Sequence, residues 1–385
     1  MKRSTNKILT THAGSISQPK DLWDLFNSKA SGQHVDQEKF ATRVRQGVAE
    51  VVKKQADAGI SVPNDGEQGK VSWQAYVNER LNGWGVDDSP LPTNALAQEF
   101  PEYFQQRNAN FGPIRQLGGR YACVGALSWK DFGAVETDIA NMKAAMRNVN
   151  VEEGFLTSLA PGQVATRANR HYKTTDEYTQ AIGDLMKREY KAIADAGIVV
   201  QLDVILFSAN LLGSGAVQEQ RKEMARLIEG INYATKGIPQ EMLRLHACWG
   251  RIEGPKNNNP QLKDMVDVML KANVQGYSIA GANGRHDFEW KVWKDHKLPE
   301  GKVLIAGVMD NTTNIIEHPE SISDRIVRYA SVVGRENIIG GNDCGFGNTP
   351  VMSPASDVEP RVAWAKFKAL GDGAAMATKE LWRSR

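Results

Sequence analysis

The sequence predicts an α/β protein folded as a (β/α)8 barrel of the TIM type, and three observations lead to that prediction. Eight short β-rich segments recur along the 385 residues, and most of them end in a polar or glycine-containing stretch. Helical stretches lie between most of these segments, which is the alternation expected of parallel strands joined by helical crossovers. Eight such repeats suit a closed sheet, and an α/β barrel of this length can be a single domain.

Each β-rich segment combines apolar residues with a following turn. The eight segments are residues 7–15, 59–67, 153–162, 197–205, 243–250, 274–284, 302–311 and 337–345. Between them, residues 36–59 and 174–197 carry apolar side chains at helical spacing and end in a glycine suited to a helix C-cap. We therefore expect crossover helices at these two places.

One segment departs from the repeat. Residues 84–150 contain a proline-rich loop, an aromatic stretch at 100–107 and a possible additional strand at 119–128. We expect one barrel domain over residues 1–385 that carries this segment as an insertion, at about 84–150, between its second and third strands.

The composition excludes several classes of partner. The 47 basic and 45 acidic residues leave a formal net charge of +2, which gives no reason to expect nucleic acid or an anionic membrane as a partner. No run approaches the ~18–20 apolar residues that a membrane span needs, and the N-terminus lacks the apolar core of a signal peptide. The three cysteines cannot all pair within the chain, so we expect reduced thiols and a cytoplasmic location. A homo-oligomer stays possible.

Polar side chains follow the predicted strands at the end where barrel enzymes build their sites. His12 and Ser15 follow the first strand, Glu67 the second and Asp310 the seventh, while Asp203 lies inside the apolar run of the fourth. An ionisable group within an apolar run has to be paired or functional, so Asp203 is the stronger carboxylate candidate. Glu67 either holds a substrate ammonium or hydroxyl, or is a solvated carboxylate in a turn.

A histidine and two cysteines offer metal ligands. His246 and Cys248 are two residues apart, so in a strand their side chains point to the same face. Cys344 follows the last predicted strand. Zinc accepts histidine nitrogen and cysteine sulfur in tetrahedral sets and keeps a position open in catalytic sites. The alternative is a buried strand end, because free cysteine is among the most buried residue types.

Taken together, the motifs resemble the cobalamin-independent methionine synthase superfamily, in particular the single-barrel relatives that match only its C-terminal catalytic half. TTHAGSISQP is similar to the opening strand and Gly-Ser substrate loop, and NDGEQGKVSWQAYVNERL to the second strand and the loop of the amine-binding glutamate. VQLDV resembles the strand with a substrate-binding aspartate. HACWG and GGNDCGFG resemble the His-x-Cys pair and the distant cysteine that bind zinc. The resemblance runs nearly end to end.

The resemblance implies a zinc enzyme that alkylates a thiol. His246, Cys248 and Cys344 are then the zinc ligands, and the substrate contacts come from His12, Ser15, Glu67 and Asp203. Zinc lowers the pKa of a bound thiol, and the thiolate attacks an alkyl carbon. The partners implied are a small-molecule thiol and an alkyl donor.

Three departures from the family pattern limit what the resemblance implies. Ala280 stands where the family usually carries a glutamate zinc ligand, and Val204 follows the aspartate in place of an acidic residue. The region of the family's proton-donating histidine reads DNTT, which leaves Asp310 as the candidate acid or base alongside Asp203. Methylation of a thiol is therefore a better-supported expectation than methionine synthesis from a folate donor.

Four hypotheses stay open at this point. The leading one is a zinc-dependent transferase that methylates or otherwise alkylates a small thiol. A second keeps the site but uses an epoxide, as epoxyalkane–coenzyme M transferases do. A third is a lyase or hydrolase that uses a zinc-bound water, and a fourth is a binding protein that has lost its metal.

Overall fold

The computed structural model describes residues 1–89, 95–109, 120–207, 212, 215–251, 253–255, 257, 259–348 and 358–383. Its strands, in chain order, are β1 Leu9–Thr10, β2 Leu81–Val86, β3 Tyr121–Trp129, β4 Phe155–Leu159, β5 Ala168–Asn169, β6 Val199–Val204, β7 Leu243–Ala247, β8 Gly276–Ile279, β9 Val303–Met309 and β10 Ile338–Asn342. Its helices are α1 Lys20–Ala30, α2 Gln37–Asp57, α3 Trp73–Arg80, α4 Ala95–Glu99, α5 Pro101–Ala109, α6 Gly133–Met146, α7 Pro161–Val164, α8 Thr175–Asp195, α9 Val217–Ala234, α10 Val266–Met269, α11 Val292–Asp295, α12 Pro319–Val333 and α13 Pro360–Leu381.

A parallel sheet of seven strands forms the centre of the molecule, in the order β1–β10–β9–β8–β7–β6–β4. This confirms the predicted α/β class with a parallel sheet, and seven of the eight β-rich segments supply its strands. The remaining segment, residues 59–67, forms single parallel bridges from Val62 to Thr11 and from Asn64 to Phe155. The outer strands β1 and β4 are therefore connected through this segment.

Most strands of this sheet are buried along their whole length, although β6 and β7 also carry polar residues. Every residue of β4, β6, β7, β9 and β10 is buried. Burial of every residue is typical of parallel strands that are covered on both faces.

The helices at 36–59 and 174–197 are confirmed as α2 and α8, and their caps explain their ends. The Asp36 carboxylate accepts hydrogen bonds from the first backbone N–H groups of α2, and the Thr174 hydroxyl accepts one from Glu177 N–H at the start of α8. Gly59 and Gly197 follow the two helices with φ of +88° and +79°, a conformation that glycine adopts without strain. Within the described ranges, no helix is both long enough and apolar enough to cross a membrane.

A second, three-stranded sheet lies outside the parallel sheet. β2 pairs antiparallel with β3, and β3 pairs parallel with β5. The possible strand at 119–128 is confirmed as β3, and the aromatic stretch contributes to α5. Arg80, at the end of α3, donates to Glu189 Oε2 on α8 at 2.7 Å, and Ser158 of β4 donates to Glu189 Oε1 at 2.7 Å. This buried ion pair attaches the start of the second sheet to the parallel sheet.

Replacing Arg80 with methionine is expected to destabilise the protein by about 3–5 kcal/mol, because the change leaves the Glu189 carboxylate buried without its counter-charge. Lys191→Met is a control on α8, the helix that carries Glu189: Lys191 forms an exposed i,i+4 ion pair with Asp195, and its loss should cost less than about 1 kcal/mol. Chemical denaturation of the two variants measures both effects. Equal stabilities would contradict the structural role of the buried pair.

Candidate metal and substrate site

Three donors from the ends of β7 and β10 meet at the carboxyl end of the parallel sheet. His246 lies near the end of β7, Cys248 follows that strand directly, and Cys344 lies just beyond β10. The donor atoms of the three side chains lie within 4.8 Å of one another, and the two sulfurs are 3.2 Å apart. A disulfide bond measures about 2.05 Å, so the two cysteines are not cross-linked in this structure. The structure thus brings the three predicted metal ligands together.

The imidazole of His246 is oriented to bind a cation. Its Nδ1 lies 3.1 Å from Ser278 Oγ, and its Nε2 is buried without a hydrogen-bond partner in the part of the chain that the structure describes. A metal-binding histidine typically gives one ring N–H to an outer partner and keeps the other nitrogen for the ion. Burial lowers the pKa of His246, but the Cys344 thiol and the Asp203 carboxylate outweigh burial and hold the pKa above its usual value.

The two thiols need a cation to ionise together. The adjacent Cys248 thiol, together with burial, raises the pKa of Cys344 well above its usual value. A bound cation reverses this effect, because metal coordination deprotonates a thiol. A histidine and two cysteines match the donors that zinc prefers, so the residues fit this metal. Among the described residues no carboxylate joins the three donors, in keeping with alanine at position 280.

Asp203 lies beside His246 on the neighbouring strand, where the two residues are register partners of β6 and β7. Gln201 Nε2 donates a hydrogen bond of 2.7 Å to Asp203 Oδ1. Burial raises the pKa of Asp203 to about 6, although His246 and the Gln201 hydrogen bond oppose the rise. The expectation that this carboxylate is buried and partnered is confirmed.

Arg244 lies beneath the site, two residues before His246. Its Nε donates to Gln201 Oε1 at 2.8 Å, and its two terminal nitrogens donate to Thr11 Oγ1 at 3.0 Å and to the His12 carbonyl at 2.8 Å. The guanidinium lies 3.4 Å from the centre of the Phe155 ring. Burial lowers the pKa of Arg244 to about 9, so the group is still a cation at neutral pH.

Glu67 is buried, so the interpretation as a solvated turn carboxylate is wrong. Its φ of +57° is left-handed, a strained conformation for a residue with a side chain. Thr157 Oγ1 donates to Glu67 Oε1 at 3.2 Å, and Oε2 is buried without a hydrogen-bond partner among the described residues. Burial raises the pKa of Glu67 to about 7, although the Lys70 ammonium opposes the rise. Gly14 packs against this group, since a Cβ there would lie 3.1 Å from Glu67 Oε1.

The backbone around Glu67 is held by amides from two other loops. Gln18 Nε2 donates to the carbonyl of Lys70 at 2.9 Å and, at longer range, to that of Glu67. Asn348 Nδ2 donates to the same two carbonyls at 3.2 and 3.3 Å. Ser15 Oγ accepts a hydrogen bond from Gly347 N–H at 3.1 Å. The loops that carry Ser15, Glu67 and Cys344 are thereby joined by hydrogen bonds.

His12 has both ring nitrogens engaged by the protein. Nε2 donates to Gln55 Oε1 at 2.6 Å, and Nδ1 accepts from Gly14 N–H at 3.2 Å. Phe155 and Phe367 pack edge-to-face against its ring. Burial lowers the pKa of His12 to about 3, so the imidazole is neutral. Both ring nitrogens of His12 are therefore engaged within the protein and are not open to a substrate. The hydrogen bond from Gly14 N–H instead holds the Gly14 loop in place.

Asp310 is fixed at the start of the loop that follows β9. Its carboxylate accepts hydrogen bonds of 2.9 Å from Thr312 N–H and from the Thr312 hydroxyl. Its own N–H donates to Glu317 Oε1 at 2.7 Å, and Glu317 forms a buried ion pair with Lys366 at 2.6 Å. Asp310 is thus a rigidly held carboxylate that lies outside the three-donor cluster.

Sequence reasoning missed three residues around this site: Lys70, Gln201 and Arg244. Gln201 and Arg244 precede Asp203 and His246 by two positions, so strand alternation alone puts each pair on one face. Lys70, in contrast, follows Glu67 across a turn with a left-handed residue, where no strand or helix periodicity predicts the direction of its side chain.

Known proteins with similar sequences are methionine synthases. The chain is 22% identical to methionine synthase of Thermococcus kodakarensis over 381 residues, which cover 97% of this chain and 94% of that protein. It is 22% identical to methionine synthase of Sulfolobus acidocaldarius over 345 residues, which cover 88% of this chain and 85% of that protein. No family model matches the sequence.

Solved structures show the same fold. A B12-independent methionine synthase from Shewanella sp. W3-18-1, in complex with selenomethionine, superposes with a TM-score of 0.70 at 19% identity and covers 97% of this chain and 99% of its own. A structure described as a B12-independent methionine synthase from Listeria monocytogenes gives 0.65 at 16% identity, with coverage of 98% and 100%. The matched lengths and the fold agree with the motifs: the chain is a relative of the cobalamin-independent methionine synthase superfamily.

Proposed function

We propose that this protein is a zinc-dependent transferase that alkylates a small thiol, with methyl as the transferred group. The observation that carries the proposal is the cluster of His246, Cys248 and Cys344 beside two buried carboxylates, Asp203 and Glu67. The relatives named methionine synthase, aligned over nearly the whole chain, support the same chemistry. The wider arrangement proposed with it is a closed (β/α)8 barrel with an insertion at about 84–150, supported by the bridges that connect β1 to β4.

The metal and the protein have separate tasks in this proposal. Zinc held by His246, Cys248 and Cys344 would supply the positive charge that lowers the pKa of a substrate thiol.

Cysteine thiolates survive in a reducing compartment, which supports the cytoplasm as the proposed location.

The carboxylates orient the rest of the substrate. Glu67 Oε2 is a buried acceptor without a partner among the described residues, and Asn64 Nδ2 is a buried donor in the same condition. An amino acid offers an ammonium to the first and a carboxylate to the second. Asp203, which lies on β6 next to His246, is the second acceptor for the ammonium. Ser15 keeps its loop against the Cys344 loop, and Asp310 is the candidate acid that protonates the leaving group.

The assay that tests this function offers one thiol and several electrophiles. Zinc-loaded protein is incubated with L-homocysteine and either S-methylmethionine, 5-methyltetrahydrofolate or a short epoxyalkane, and thioether products are measured by mass spectrometry. We expect methionine from a methyl donor. Thioether from the epoxide alone would favour the epoxide transferase, and turnover of a donor without any thiol would favour a lyase or hydrolase. No product under any condition, with metal bound, would contradict the proposal.

Metal binding is expected to depend on all three donors. Cys344→Ser and His246→Ala should each weaken zinc binding by roughly 100-fold or more, because losing even an outer partner of a ligand typically costs 10–100-fold. Cys123→Ser is the matched control, since Cys123 is buried away from the cluster with its thiol donated to the Gly125 carbonyl. Metal content by mass spectrometry, with competition by a chelator, measures the affinities. Equal zinc in Cys344→Ser and the wild type would show that the cluster does not bind the metal.

Binding of L-methionine should weaken as the pH falls below 7. Glu67 titrates at about pH 7, so at lower pH it is protonated and cannot pair with the ligand ammonium, which stays charged throughout. Isothermal titration calorimetry should show affinity falling roughly tenfold or more from pH 7.5 to 5.5. Glu67→Gln should bind weakly and lose the step near pH 7, keeping only the part due to Asp203. A flat profile in the wild type would contradict this role of Glu67.

A further inference from the structure

Lys70 is a buried cation for which the proposed chemistry has no task. Its Nζ lies 3.1 Å from the Thr157 carbonyl and 3.2 Å from Thr157 Oγ1. The Thr157 hydroxyl in turn donates to Glu67 Oε1 at 3.2 Å. The side chains of Lys70, Thr157 and Glu67 therefore form one continuous chain of hydrogen bonds.

The direction of this chain is determined by counting hydrogens. A lysine ammonium can only donate hydrogen bonds, and a threonine hydroxyl carries one hydrogen and accepts through its oxygen. Because Lys70 donates to Thr157 Oγ1, the single hydroxyl hydrogen of Thr157 is available for Glu67 Oε1. With Oε1 engaged in this way, Glu67 presents Oε2 as its open acceptor.

The electrostatic surroundings keep Lys70 charged. Burial disfavours the ammonium, but the carboxylates of Asp65, Asp138, Glu67 and Glu189 outweigh burial, and the pKa of Lys70 lies above its usual value. The ring of Tyr76, whose centre is 5.1 Å from Nζ, adds a favourable cation–π contact. Lys70 is thus an ammonium group that keeps its proton, and therefore its positive charge, inside the pocket.

We propose that Lys70 is a positioning residue that acts through the Thr157 hydroxyl: it fixes Glu67 so that Oε2 faces the ammonium of an amino-acid thiol. This inference rests on the proposed function, because it specifies how that site selects a thiol that carries an amine. Lys70 does not touch the substrate. Its effect should therefore appear in the recognition of the amine and not in the transfer of the alkyl group.

Threonine 157 gives the cleanest test because two substitutions differ only in the hydroxyl. Thr157→Val keeps the shape and removes the hydroxyl, whereas Thr157→Ser keeps the hydroxyl. With zinc-loaded protein, the KM for L-homocysteine should rise roughly tenfold or more in Thr157→Val and Lys70→Met, with kcat changed less than about twofold. Thr157→Ser should stay near the wild type. Equal KM values in Thr157→Val and Thr157→Ser would overturn the proposal.

A thiol without an amine separates positioning from general damage. For 4-mercaptobutanoic acid, which matches homocysteine except for the amino group, the KM should be the same in all variants. A parallel rise for both thiols would show that the substitutions merely distort the pocket, and that result would also overturn the proposal. A wild-type enzyme that uses neither thiol would instead count against the proposed function.

A measurement without substrate tests the hydrogen-bond chain directly. Lys70→Met and Glu67→Gln, alone and combined, form a double-mutant cycle that is read by chemical denaturation. The two effects should be non-additive, and the coupling should shrink in a Thr157→Val background. Additive effects in the presence of Thr157 would overturn the proposal even if the protein proves to have another activity.

Discussion

The arrangement of the site depends on the contacts of one buried group, the guanidinium of Arg244. It donates to a side chain of β6 and to a side chain and a carbonyl next to β1, and it stacks on an aromatic ring of β4. Strands from both sides of the parallel sheet are thereby held around one charge. On β7, His246 follows Arg244 by two residues, and on β6, Asp203 follows Gln201 by two residues. The hydrogen bonds of Arg244 therefore hold the strand segments directly below His246 and Asp203.

Above Arg244 the site contains two pairs of acidic groups. Burial raises the pKa values of the Asp203 and Glu67 carboxylates to about 6 and 7, and the sulfurs of Cys248 and Cys344 lie 3.2 Å apart. In each pair the ionisation of both members is disfavoured, and a nearby cation would favour it. One pair suits a metal ion and the other an ammonium, and neighbouring strands bring the two pairs together. A bound metal ion would favour ionised thiols, and the ammonium of an amino-acid thiol would favour ionised carboxylates.

Local pattern predicted the helices, most of the strands and the three donors, because strand periodicity and polar strand ends are encoded within a few residues. It failed where the answer depends on distant neighbours. His12 looked like a pocket residue, but Gln55 and two aromatic rings from remote segments enclose it. Glu67 looked equally suited to a solvated turn, but Gln18 and Asn348 hold its left-handed backbone and Thr157 bonds its carboxylate, and all three lie far from it in sequence. Segment 59–67 reads as a strand but makes only single bridges.

The hydrogen bonds among the Ser15, Glu67 and Cys344 loops have a mechanical consequence. Gln18 and Asn348 hold the same two carbonyls of the Glu67 turn, and the backbone N–H of Phe346 donates to the Ser15 carbonyl. A displacement of any one of these loops is therefore transmitted to the other two. Glu67 and Cys344 therefore belong to one hydrogen-bonded unit. If they bind an amine and a metal as proposed, the fixed distance between them limits the length of the thiol that fits.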